Sequence, residues 1–131
     1  NSVLSIGVDI ESISRVDNLL QRYGERFLNR LFTEHEVAYS QRRKFPAQHL
    51  AARFCAKEAT MKALGTGMRG VAWRDIEILR NELGAPLVNL QGSAESKAGE
   101  LAIFDLCISL SHSRVYAIAS VIGEKNEGSN G

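Results

Sequence analysis

The stretch FCAKEATMKAL, residues 54–64, decides how the chain folds. Phe54, Cys55, Met61 and Leu64 recur at helical spacing with alanines between them, which predicts a core-facing helix. Two lysines and a glutamate interrupt the pattern, with Glu58 and Lys62 one turn apart. A solvated i, i+4 ion pair is the plain explanation, and such a pair contributes only ~0.2–0.5 kcal/mol. A metal-ligating carboxylate beside a phosphate-gripping lysine is the chemical one. The rest of the chain decides between them.

Upstream, Pro46 breaks the pattern, so this helix spans about 47–64, and GTGMRG (65–70) is a glycine-rich stop and loop. Thr33 and Glu36 form a capping box that opens another helix running to about Lys44. Ser12 or Ser14 caps an earlier helix through Val16, Leu19, Leu20 and Tyr23, which pauses at Gly24 and resumes at Phe27, Leu28 and Leu31. VLSIGVDI (3–10) is a strand with Ile6, Val8 and Ile10 on one face and Gly7 and Asp9 on the other.

Downstream the period changes. AWRDIEILRN (72–81) sets Trp73, Ile76 and Ile78 against charged neighbours, as in a half-solvated strand. NELGAP is a turn, PLVNL a short strand and GSAESKAGEL a helix. DLCISLSHS (105–113) and VYAIASVIG (115–123) are strands joined by a tight turn at Ser113 and Arg114. One strand, three helices, then mostly strands predicts a single α+β domain, with an antiparallel sheet packed against helices. It spans 1–122, and the polar, glycine-rich GEKNEGSNG (123–131) reads as a flexible C-terminal tail.

The 131 residues are 44% hydrophobic and 24% charged with a net charge of +1, which disfavours a general nucleic-acid binder. No apolar run approaches the ~20 residues of a membrane span, and no signal peptide is visible at the start. Cys55 and Cys107 each sit in an apolar pattern without CxxC spacing, so both are expected to be reduced, buried thiols of a cytoplasmic protein.

Asp9 stands in an apolar strand, where an uncompensated carboxylate is costly. It is either an edge or turn residue or a ligand for a hard cation such as Mg2+. Arg53, Lys57 and Lys62 share the central helix, and Lys44 precedes it. SLSHS (109–113) ends a strand with hydroxyls and an imidazole suited to phosphate, or simply a turn whose serines bond their own backbone. Arg15, Arg22 and Arg26 fall near one helical face with Phe27 and Arg30 beside them: either a solvated face or a dock for an acidic partner with Phe27 as anchor.

IGVDIESISRV, RFCAKEATMKALGTG and SLSHSRVYAIASV, with WRDIEI and the Gly84–Pro86 turn, together resemble the holo-acyl-carrier-protein synthases. These form the small, single-domain branch of the 4'-phosphopantetheinyl transferases. The resemblance covers about residues 4–122 and implies a trimer-forming fold with sites between subunits. It implies transfer of the phosphopantetheine arm of coenzyme A to a serine of apo acyl carrier protein, releasing adenosine 3',5'-bisphosphate, with Mg2+ as cofactor. Carried over, Asp9 and Glu58 are the metal ligands, and Asp9, Glu58 and Lys62 the catalytic set. Lys44, Arg53, Lys62, Ser111, His112 and Ser113 meet coenzyme A. Arg15, Arg22, Arg26 and Phe27 belong to the carrier-docking segment. The loop MRGVAW (68–73) replaces a more glycine-rich version. The competing readings are a non-catalytic nucleotide-binding regulatory module and a metal-dependent phosphohydrolase.

Overall fold

The computed structural model describes residues 2–65 and 69–126. Met68 and its neighbours in the glycine-rich loop, and residues 127–131, lie outside the described residues.

Strand β1 (Ser2–Ser12) leads directly into α1 (Ile13–Tyr23), whose N-cap Ser12 accepts a hydrogen bond from the Arg15 amide. Gly24 adopts φ 53° and breaks the helix before α2 (Glu25–Leu31). Helix α3 (Glu34–Gln41) opens on the expected Thr33/Glu36 capping box. Helix α4 (Pro46–Leu64) carries Pro in its first turn, where the missing N–H costs nothing, and ends at left-handed Gly65. After it come β2 (Ile76–Arg80), β3 (Pro86–Leu90), α5 (Gly92–Glu100), β4 (Ile103–His112) and β5 (Tyr116–Asn126).

The strands form two antiparallel sheets, a three-stranded one in the order β1-β5-β4 and the β2-β3 hairpin. Helix α4 lies across the inner face of the larger sheet, with Leu50, Ala51, Cys55, Ala56, Ala59 and Met61 buried. The α+β class with an antiparallel sheet therefore holds.

Three local expectations are corrected. Residues Trp73–Asp75 form a single 3-10 turn, so the strand begins at Ile76, and Trp73 instead packs its ring 5.2 Å from that of Phe54. Strand β5 continues to Asn126, because Gly123–Asn126 pair with Ser2–Ser5, so the expected tail starts no earlier than residue 127. Cys55 is buried, but Cys107 is exposed: it sits opposite Ile122 on the outer face of the sheet.

That outer face is apolar. Leu4, Ile6, Val8 and Ile10 of β1 are 54–62% exposed, and Ile118 and Ile122 of β5 continue the patch. The inner face of β1 carries Gly7, Asp9 and Glu11, all buried toward α4. A Cβ on Gly7 would strike the Ala59 carbonyl and lie 2.7 Å from the Ala63 amide. Glycine is therefore what lets strand and helix backbones touch, and this contact brings the two acidic segments together.

Beneath α4 lies an ion pair with no solvent access on either side: Lys57 Nζ is 2.8 Å from Glu36 Oε1. Lys57 also donates to the carbonyls of Trp73 and Ile76, while Glu36 accepts from the amides of Thr33 and Ile78. Every polar atom of the pair is satisfied, so Lys57 is a structural cation joining α3, α4 and β2. It is not part of a phosphate-binding surface.

Candidate active site

Asp9, Glu11 and Glu58 each offer a carboxylate oxygen, and the three atoms lie within 4.8 Å of one another. Asp9 and Glu11 share a face because a strand alternates every residue, and Glu58 reaches them from α4. Asp9 is 9% exposed, and its Oδ2 is buried without a hydrogen-bond partner. Its Oδ1 accepts from Lys62 Nζ at 2.8 Å, and that ammonium also donates to the Val8 carbonyl at 3.0 Å. Glu11 Oε1 accepts from Arg15 Nη1 at 2.7 Å. Two cations thus flank three crowded carboxylates.

The electrostatics record the crowding. Burial pushes the Glu58 carboxyl up to about 7, and the Asp9 and Glu11 carboxylates push in the same direction. The Lys62 ammonium is raised, chiefly by its hydrogen bond to Asp9, and the Arg15 guanidinium by its bond to Glu11. A carboxylate that is costly to ionise, beside an orphaned buried oxygen, fits a site completed by a hard cation.

The other expected coenzyme A residues fall elsewhere. Arg53 is 1% exposed, with its guanidinium 4.1 Å from the centre of the Tyr39 ring. Arg43 covers the same ring at 4.2 Å, so Tyr39 is held by two arginines. Burial alone would raise the Tyr39 hydroxyl, but Arg43, Arg80 and Arg53 outweigh it and lower the value. His49 packs between Tyr39 and His112, with ring centroids 6.0 and 5.9 Å away. Burial lowers its pKa, and Arg53 and His112 add to the effect. The nine residues from Arg53 to Lys62 turn the helix by about 180°. The basic cluster therefore lies on the opposite side of α4 from the carboxylates.

Ser111 and His112 project to opposite faces of the sheet: Ser111 lies in the outer row with Ile118 and Ile10, and His112 in the row of Ala117 and Glu11. Ser113 Oγ accepts from the amides of Val115 and Tyr116, so its hydroxyl is engaged in the β4–β5 turn. Lys44 is exposed before α4, with its ammonium 5.7 Å from the Phe45 ring. Arg15, Arg22 and Arg26 are all exposed, but Phe27 is only 8% exposed and packs edge-on against Phe32. Phe27 is thus a core residue because its helix turns it inward. The exposed aromatic of that face is Tyr23, and a shallow groove of about 280 Å3 there is lined by Leu19, Tyr23, Arg26, Phe27 and Arg30, so one edge of the Phe27 ring still reaches the arginine-bearing surface.

The sequence reading missed Glu11, Tyr39, Arg43, His49 and Arg80. Glu11 had a signal, since two residues after Asp9 in a strand means the same face. Arg43 also had one, lying four residues after Tyr39, and His49 lies four residues before Arg53 on α4, but Tyr39 and Arg80 join them only through tertiary packing.

With fold and site in view, comparison with known proteins gives a consistent result. The chain belongs to the 4'-phosphopantetheinyl transferase superfamily, whose sequence profile it matches over residues 5–119. Within it, the relatives are holo-[acyl-carrier-protein] synthases. That of Halothermothrix orenii is 39% identical over 94% of this chain and 98% of its own, and that of Gloeobacter violaceus is 46% identical over 88% and 89%. Among crystal structures, the Neisseria meningitidis holo-[acyl-carrier-protein] synthase superposes with a TM-score of 0.86 at 35% identity, covering 92% of this chain and 98% of that one. The Helicobacter pylori enzyme, solved in complex with coenzyme A, gives 0.80 at 32% identity over 90% and 98%.

Proposed function

We propose that this protein is a holo-[acyl-carrier-protein] synthase that moves the 4'-phosphopantetheine arm of coenzyme A onto a serine of apo acyl carrier protein. One observation carries the mechanism: three carboxylates converge around a buried, unpartnered Asp9 oxygen, with Lys62 beside them. Asp9, Glu58 and Glu11 would hold one Mg2+, which when bound supplies charge neutralisation for a diphosphate.

The chain's own residues do the rest. Lys62, half-exposed and anchored on Asp9 and the Val8 carbonyl, is placed to hold a diphosphate oxygen. The carrier serine forms a new O–P bond while the bond from that phosphorus to adenosine 3',5'-bisphosphate breaks. Glu58, at the edge of this cluster on α4, is the group we assign to take the serine proton. Catalysis is then mostly placement and electrostatics.

Lys44, Arg53, Ser111, His112 and Ser113 contact coenzyme A, with Tyr39 and Arg43 fixing the Arg53 guanidinium. Because the basic cluster and the carboxylates occupy opposite sides of α4, one chain presents two half-sites. The exposed apolar face of β1 and β5 supports assembly of copies, and a homotrimer brings the carboxylates of one subunit to the basic cluster of the next. The exposed arginines Arg15, Arg22 and Arg26 dock the acidic carrier. The free thiols Cys55 and Cys107 fit work in the cytoplasm.

The test is the mass of an apo carrier incubated with the protein and coenzyme A. A phosphopantetheine adduct that requires Mg2+ supports transfer. Cleavage of coenzyme A with an unmodified carrier would favour a phosphohydrolase, and coenzyme A binding with no reaction a regulatory module.

A further inference from the structure

Arg15 stands where the two binding functions of the proposed synthase meet. It lies in the first turn of α1, on the arginine-bearing face, and its side chain is 60% exposed. Yet its Nη1 is tied at 2.7 Å to Glu11, whose side chain is only 7% exposed, accepts otherwise from the Ser12 amide at 3.3 Å and faces the carboxylates of Asp9 and Glu58. The buried Asp9 Oδ2 without a partner marks the same cluster as short of positive charge. Arg15 therefore serves as counter-charge to a buried carboxylate in the cation-free protein. An acidic carrier competes with Glu11 for the Arg15 guanidinium, whose Nη1 is tied to that buried carboxylate. Removing one partner of such a pair strands the other, and a stranded buried charge is costly.

We propose that the Arg15–Glu11 ion pair couples cation binding to carrier docking. A divalent cation held by Asp9, Glu11 and Glu58 takes over the neutralisation of Glu11, and Arg15 is released to an acidic side chain of the carrier. The coupling is reciprocal, so the docked carrier also tightens cation binding. Carrier then docks preferentially on protein already loaded with its cation. The inference rests on the proposed cation site and docking face, and it adds a link between them that neither requires.

The experiment measures carrier affinity rather than turnover. A fluorescent acyl carrier protein with its acceptor serine replaced by alanine is titrated by anisotropy, without coenzyme A, with and without MgCl2 at matched ionic strength. For the unaltered protein, Mg2+ tightens the dissociation constant roughly tenfold. Glu11→Gln leaves Arg15 free, so this variant binds the carrier tightly without Mg2+ and responds little to its addition. Arg15→Gln binds weakly in both conditions, while calorimetry with Mg2+ alone shows that it takes up the cation more tightly than the unaltered protein. An unaltered protein indifferent to Mg2+, alongside an Arg15→Gln variant that still loses carrier affinity, overturns the coupling and leaves the docking face standing. Full carrier affinity in Arg15→Gln overturns the docking role of Arg15 itself.

Discussion

Gly7 of β1 and Ala59 of α4 touch backbone to backbone, with no room for a side chain between them. That contact sets how near the carboxylates of β1 come to the helix that carries Glu58 and Lys62. A methyl group at position 7 must push α4 away from the sheet. Gly7→Ala is therefore expected to destabilise the fold by ~1–3 kcal/mol, as overpacking does. Chemical denaturation checks the stability, and calorimetry on protein that remains folded should show weakened Mg2+ binding. Unchanged stability would mean that the strand and helix are not locked at this point.

Glu58→Gln should separate stability from activity. Its carboxyl stands at about 7 in the folded chain against 4.5 for an ordinary glutamate, so the folded state holds the proton more tightly than the unfolded state. A raised value gives stability that is fully present below pH 4.5 and lost as pH rises toward 7. Metal-free unaltered protein should thus weaken over this window, and Glu58→Gln should not. With the group partly solvated, the loss across this window is on the order of 1 kcal/mol. Turnover of the same variant should fall by about two to three orders of magnitude. Thermal unfolding across pH and a transfer assay read the two effects, and parallel pH curves for both proteins would contradict the burial of this charge.

The Glu36–Lys57 pair should behave as a unit. Lys57→Met alone leaves a fully buried carboxylate without its cation and is expected to cost about 3–5 kcal/mol. Glu36→Gln combined with Lys57→Met should cost less, since neither charge is then stranded and the side-chain carbonyl at position 36 still accepts from a backbone amide. A double-mutant cycle by urea denaturation measures the difference. A double variant that costs the sum of the two single variants would show that the pair is not coupled.

Much of this was legible in the residues, and the gaps have physical causes. The 33/36 capping box and the core period of 54–64 are local signals, and both elements form as their spacing predicts. Asp9, Glu58 and Lys62 do meet, 53 residues apart along the chain in the case of the ion pair. Phe27 is largely buried because the break at Gly24 resets the helical phase, yet it lines the groove beside Arg26 and Arg30. Cys107 lies in an apolar pattern and is still exposed, because the sheet turns an apolar face outward. In the sandwich on Tyr39, Arg43 sits at i+4 and was legible, whereas Arg53 arrives from α4 with no sequence period to betray it.

That sandwich makes its own prediction. Arg53→Lys keeps a positive charge but loses the flat stacking on Tyr39, which is worth ~0.5–2 kcal/mol. The KM for coenzyme A should rise several-fold while that for the carrier stays constant. Steady-state kinetics with each substrate varied in turn provides the check, and a change confined to the carrier KM would move Arg53 out of the nucleotide site.

The central claim is that Asp9, Glu11 and Glu58 together hold one divalent cation, and a direct titration tests it. Mn2+ binding followed by electron paramagnetic resonance should show one site per chain in the unaltered protein. Asp9→Asn should abolish that site while the circular dichroism spectrum is preserved. Unchanged Mn2+ affinity in a folded variant carrying Asp9→Asn, Glu11→Gln and Glu58→Gln would contradict the account.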